Sequence, residues 1–310
     1  MPFSHHSHSG QFCPGHARDS LEDVIQMAIS KKMSVFALTE HMPRHDQDRY
    51  PEEMSTLETH LANEEAYVAE ALRLRHKYKD RIGLLLGFEG EWIRPESEDL
   101  IKQSLTKYPY DFFVGSVHHV HTIPIDYDHA MYRDARAKAG GTDERIFEDY
   151  FDAQFAMLTA LRPPVVGHFD LIRLKSDDPN QSFREMEGVW ARILRNLDCI
   201  TSYGGILEIN SSAVRKGMDE PYPKGEICQA ALERGILFCL SDDSHGVDQI
   251  AHSYPRVLAF LEKVGIISVT FLSHREPTEA HGQIHDDRFQ ALRAQQMGLK
   301  ELREHRFWGK

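Results

Sequence analysis

The chain has 310 residues, of which 41% are hydrophobic and 27% charged, the balance of an ordinary soluble globular protein rather than of a fibre or a disordered segment. Its net charge of −12 argues against a nucleic-acid partner, which calls for a basic surplus. The four cysteines, Cys13, Cys199, Cys228 and Cys239, lack CxxC spacing, and no apolar run approaches the roughly eighteen residues that span a bilayer, so free thiols, no membrane association and a cytoplasmic location are expected.

The compositional anomaly is nineteen histidines. In chain order the first group is Phe3-Ser4-His5-His6-Ser7-His8, followed by Phe12-Cys13-Pro14-Gly15-His16. If this segment is a strand, His6 and His8, two apart, leave the same face, and two neutral imidazoles so placed are half of a metal site. Ser20, with Asp23 three residues on, reads as a helix N-cap, and Leu21, Val24, Ile25, Ala28 and Ile29 form one apolar stripe behind it. The apolar run 35–39 is long enough for a buried strand and ends at Glu40-His41. A helix over 56–79 leads to a strand over 82–89 that ends at Glu89.

The alternation continues. Helices over 98–108, 143–161, 182–200 and 224–234 precede strands over 112–118, 164–168, 205–210 and 236–241, the last running into Asp242-Asp243-Ser244-His245. With the N-terminal segment this makes seven strand candidates separated by helices. Such alternation means a parallel sheet covered by helices, closed into a barrel or left open and doubly wound. The barrel is favoured because polar residues stand at the C-terminal end of every strand, whereas an open sheet would use two or three strands at one switch point. Residues 266–272 read as an eighth or an edge strand, and 286–306 as a charged amphipathic helix packed on the outside. With no repeat, low-complexity tract or linker, residues 1–310 are expected to form a single domain.

Gathered from the strand ends, the candidate ligands are His6, His8, His16, His41, Glu89, His118, His168, Asp243 and His245. Any one of them alone would more often be a hydrogen-bonded core or surface residue; nine at equivalent positions suit zinc, manganese or iron, and the absence of cysteine speaks against a closed structural zinc site. His5, His119, His121, Asp242 and Glu91 stand beside these as competing choices. Spacing favours Asp243 over Asp242, which would face away if the strand continued. His274, His281 and His285 read as solvent-exposed, and residues 123–141 as a loop long enough for a lid.

The motifs His6-Ser7-His8, Thr39-Glu40-His41, Gly87-Phe88-Glu89, Ser116-Val117-His118, Gly167-His168 and Asp243-Ser244-His245 occur in an order that resembles the polymerase and histidinol phosphatase (PHP) superfamily of metal-dependent phosphoesterases. The segments 12–16, 167–173 and 208–216 look like its histidinol-phosphatase branch, in particular the fungal members. The resemblance implies a distorted seven-stranded (β/α)7 TIM-like barrel holding two or three divalent ions, zinc first, with manganese or iron as alternatives. Carried over by motif, His6, His8, Glu89 and Asp243 would hold the first ion, Glu89 would bridge to a second held by His118 and His168, and His16, His41 and His245 would hold the third. The implied reaction is hydrolysis of L-histidinol phosphate to L-histidinol and phosphate in histidine biosynthesis, by attack of metal-activated hydroxide on phosphorus. The alternative is another phosphoesterase of the superfamily: a general phosphatase, a phosphotyrosine phosphatase or a nuclease.

Phosphate chemistry also has a physical case. Three divalent ions against two ligand carboxylates leave roughly +4 at the mouth of the barrel, enough to draw a small phosphate monoester into an acidic protein. A water whose pKa falls from about 15.7 towards roughly 7 supplies the nucleophile. Arg173 and Arg215, which follow the fifth and sixth strands, are the candidates for a bidentate phosphate grip. Asp243, His245 and Glu89 are the candidates for catalysis at the metal rim.

Overall fold

Parallel strands set the frame of the computed structural model, which describes residues 3–13, 15–275, 289 and 291–308. In sheet order these are β1 (Phe3–Ser4), β2 (Val35–His41), β3 (Gly83–Glu91), β4 (Val114–Ser116), β7 (Val165–Val166), β8 (Ile206–Asn210) and β9 (Leu237–Ser241). Each pairs parallel to the next; β2 and β3, for example, match Val35 to Gly83 through His41 to Glu89. Their sequences are nearly continuous apolar runs because both faces are covered.

The ring closes between the last and first of these strands. His5 N donates to Leu240 O at 3.1 Å, Asp243 N to His6 O at 3.1 Å and His8 N to Ser244 O at 2.8 Å. The result is the expected seven-membered, distorted barrel. The middle of β9 offers its edge to β10 (Ser268–His274), through Thr270 and Cys239. β10 then passes Phe3, whose ring stacks on Phe271 at 4.9 Å, and reaches Asp111, just ahead of β4, through His274 at 3.0 Å. It therefore crosses the end of the ring where the strands begin.

The helices α1 (Leu21–Ser30), α2 (Leu57–Tyr78), α3 (Ser97–Lys107), α5 (Asp143–Leu161), α6 (Glu187–Tyr203), α8 (Gly225–Glu233) and α9 (Tyr254–Val264) pack around the strands. Ser20 caps α1 as expected: its hydroxyl accepts from Asp23 N, and Asp23 accepts from Ser20 N. The buried stripe is Leu21, Val24, Ile25 and Ala28.

The described residues of the 286–306 range, 289 and 291–306, do not form the expected helix. Within the described part, Leu292–Gly298 is a strand, β11, antiparallel to β10 with Leu292 opposite His274, and only Leu299–Glu304 is α-helical, α10. The Ala, Gln and Met of 294–297 favour a helix intrinsically, but the free edge of β10 supplies backbone partners that outweigh that preference. Residues 123–141 are not a bare loop either: β5 (His119–Val120) and β6 (Ile123–Pro124) form a two-stranded ribbon, and α4 (His129–Lys138) follows, with Tyr132 and Ala135 buried. The short α7 (Ser212–Arg215) follows β8 directly. His281 and His285 lie outside the described residues.

Candidate metal centre

The nine candidate ligands meet at the C-terminal mouth of the ring. His6 Nε2 lies 3.3 Å from Glu89 Oε2 and 3.8 Å from Asp243 Oδ1; His8 Nε2 lies 3.5 and 3.4 Å from the same two oxygens. His41 Nδ1 is 3.1 Å from Glu89 Oε2. On the other side of Glu89, Oε1 is 2.9 Å from His168 Nε2 and 3.3 Å from His118 Nε2, and those two nitrogens are 3.0 Å apart. His16 Nε2 meets His245 Nε2 at 2.9 Å, and the rings of His41 and His245 each lie 4.4 Å from that of His8. Glu89 stands at the centre, one oxygen towards each group.

Local sequence explains this placement. His6 and His8 leave one face of the extended N-terminal segment. Gly167 lets the chain approach β4 closely before His168, since a Cβ there would sit 2.6 Å from Ser116 Oγ. The strand β9 ends at Ser241 rather than continuing, and Asp243 reaches the cluster through a left-handed residue at φ 47°, a conformation that Asp tolerates better than most side chains. Asp242 does face away. It accepts from Ala251 N at 2.8 Å, and burial pushes its carboxyl up to about 6. His5 points to Leu240 O and Leu272 N, and burial brings it down to about 4. His121 pairs with Asp149 at 2.7 Å near the surface.

The cluster calls for cations. Burial opposes charge on Glu89, yet His6, His118 and His41 hold it well below the usual carboxylate range; Asp243 is likewise depressed against burial, by His6 and His8. Burial also opposes charge on His6 and His118, but Glu89, with Glu208 or Glu91, outweighs it and raises both. His41 and His245 go the other way: burial and the neighbouring His8 keep them neutral, the form that offers a lone pair. His6 Nε2, both nitrogens of His8 and His41 Nδ1 are buried without a hydrogen-bond partner. Their spacings approach the edge of a zinc tetrahedron, about 3.3 Å for Zn–N near 2.05 Å. Three sets fit an ion: His6, His8 and Glu89; Glu89, His118 and His168; His8, His41 and His245. His8 stands in the third set where His16 was expected, with His16 next to His245.

Two buried carboxylates support this first layer. Glu208, fully buried, holds His6 Nδ1 at 2.8 Å with one oxygen and accepts from His168 N at 2.7 Å with the other. Asn210 bridges Glu208 to Asp243 at 3.0 and 3.2 Å. Glu91 holds His118 Nδ1 at 2.7 Å and lies 3.5 Å from Arg44. Carboxylates in this position fix the tautomer and orientation of ligand imidazoles. Sequence reasoning passed over Glu208; its signal was a Glu and an Asn two apart inside an otherwise apolar strand, polar groups that burial tolerates only with partners.

The arginines differ from each other. Arg215 donates to Asp242 O at 2.7 Å and Asp243 O at 2.8 Å, at the rim of the cluster and partly exposed. Arg173, 1% exposed, bonds Asp170 at 2.9 Å and the carbonyls of Glu220 and Pro221, and lies over the Tyr222 ring at 5.1 Å.

Residues 4–212 match the family described as PHP domain. The chain is 46% identical over 280 residues to a fission-yeast protein (Schizosaccharomyces pombe) named "Probable histidinol-phosphatase", covering 88% of this chain and 90% of the relative. The chain belongs to the PHP family. A Saccharomyces cerevisiae member named histidinol-phosphatase is 31% identical, covering 89% of this chain and 92% of that one. Among solved structures, a histidinol phosphate phosphatase from Lactococcus lactis, complexed with zinc, L-histidinol and phosphate, superposes with a TM-score of 0.68 at 20% identity, over 88% of this chain and 97% of that one. That likeness carries the PHP barrel fold.

Proposed function

We propose that this PHP protein is a metal-dependent histidinol-phosphatase that hydrolyses L-histidinol phosphate to L-histidinol and phosphate in histidine biosynthesis. The observation that carries the reading is the convergence of imidazoles and carboxylates on Glu89 at one mouth of the barrel. The yeast relatives' names and the L. lactis ligands supply the substrate.

His6, His8, Glu89 and Asp243 would hold one ion, Glu89, His118 and His168 a second, and His41, His245 and His16 a third, with zinc favoured by the imidazole-rich set. Divalent ions held there would lower the pKa of water and stabilise charge on the phosphoryl oxygens. The chain does the rest. Asp243, held through Oδ2 by Asn210 and Ser212 at 3.2 and 3.1 Å, turns Oδ1 to the cluster as an ionised proton acceptor. His245, kept neutral and held by Asp243 O at 3.0 Å, stands beside it. Arg215 brings a fixed positive charge to the rim for the phosphate dianion, and Arg173 steadies the segment after His168 from behind. A small phosphate monoester is the partner, with no role for nucleic acid. Among the described residues no helix is long and apolar enough to cross a membrane, and the four cysteines are free, which fits a cytoplasmic enzyme.

The test is phosphate release by the metal-loaded protein from L-histidinol phosphate against a panel of alkyl, aryl and diester phosphates. Strong preference for L-histidinol phosphate is expected; equal turnover across the panel, or preference for a diester, overturns the substrate. Glu89→Ala and Asp243→Ala should each abolish turnover with the far-ultraviolet circular dichroism unchanged, because each removes ligand charge and not core volume.

A further inference from the structure

One carboxylate near the cluster has no employment in the scheme above. Asp126 follows the β5–β6 ribbon, where Ile125 N donates to His118 O at 2.9 Å, so it stands one residue from a segment bonded directly to a candidate ligand. Its Oδ1 is buried and has no hydrogen-bond partner. The charge of Asp126 acts on His16, Tyr50, His119 and Tyr222, residues set around the mouth. His119 is 2% exposed, and its Nδ1 is also buried without a partner. Its ring lies 5.4 Å from that of Tyr50, which lies 5.9 Å from that of Tyr127. A buried acceptor and a buried ring nitrogen left unpaired beside an aromatic wall are costly unless a ligand completes them.

We propose that Asp126 is a specificity-determining residue whose carboxylate receives the ammonium group of the phosphate ester, while Tyr50, His119 and Tyr127 form the wall for the planar ring of the same substrate. The assignment rests on the phosphatase reading and deepens it. In L-histidinol phosphate the ammonium is on the carbon next to the ester-bearing methylene, so phosphate at the metal centre leaves it within a few bonds of the mouth. An ester without that cation leaves Asp126 unpaired and adds like-charge repulsion between carboxylate and phosphate, which makes the residue a filter as well as a contact.

The experiment compares kcat/KM for L-histidinol phosphate and for its analogue with hydrogen in place of the amine, in metal-loaded wild type and Asp126→Asn, with Asp126→Ser as the second variant. Wild type should prefer the ammonium ester at least tenfold, and the variants should lose at least tenfold of that ratio. Their Tm without substrate should not fall, since Asp126 Oδ1 makes no hydrogen bond whose loss would cost stability. An unchanged ratio overturns the assignment, as does a lowered Tm with equal losses on both esters, the signature of a structural residue. A wild type that releases phosphate from neither ester defeats the phosphatase reading itself.

Discussion

Glu208 shows how much of the site's geometry lies behind the ligands. Its two oxygens fix the side chain of His6 and the backbone of His168, and Ser241 and Asn210 fix Glu208 in turn. Glu208→Gln keeps the volume but presents an N–H or a weaker acceptor to His6 Nδ1, so metal affinity should fall about 10- to 100-fold, as read by competition with a chelator. Unaltered affinity would remove Glu208 from the supporting layer. The arginine pair separates by the kind of damage expected. Arg215→Ala should raise KM with stability little changed, because its bonds are to backbone carbonyls at a partly exposed rim. Arg173→Ala should instead destabilise the fold by about 3–5 kcal/mol, since it leaves the buried carboxylate of Asp170 without its cation. Denaturant melts of both variants beside their Michaelis curves decide this.

At the level of elements, the helices are tied to each other as well as to the barrel. Glu22 in α1 meets Lys77 at 2.5 Å and Tyr78 at 2.6 Å in α2, and these hydrogen bonds bring its carboxyl down to about 2 from the ordinary 4.5. A depressed carboxyl adds stability that is present above pH 4.5 and is lost as pH falls towards 2. Wild type should therefore melt above Glu22→Gln at neutral pH, and the gap should close between pH 4.5 and 2. A gap independent of pH would mean that packing, not charge, joins the two helices. The elements also show where periodicity misleads. Strand positions were legible because each parallel strand is an apolar run ending in polar residues, whereas β11 carries helix formers and exists because β10 offers an edge. The helix Tyr254–Val264, with Pro255 in its first turn and Gly265 at its C-cap, lies outside the sequence expectations although it leads directly into β10.

Across the whole molecule, seven strands focus buried carboxylates and imidazoles on one mouth, and the cost of that concentration is offset when cations are present. Chelation should abolish phosphate release and lower Tm. A ligand at a hundred times its Kd stabilises by about 2.7 kcal/mol, which at about 2–4 °C per kcal/mol is roughly 5 °C or more. Added zinc should restore both, and an indifferent Tm would count against a buried metal centre. What the sequence determined by itself was the set of ligand types and their order along the chain, because strands of period two ending in His, Glu and Asp can present those groups only at one end of a parallel ring. The tertiary structure decided which neighbour of each pair turns inward, that Asp243 does so through a left-handed turn, that Glu208 and Glu91 stand behind the imidazoles, and that Arg173 is committed to the protein. Those outcomes depend on strand register, turn conformation and contacts between residues far apart in the chain, such as His6 with Glu208 and His16 with His245, and local periodicity contains none of them.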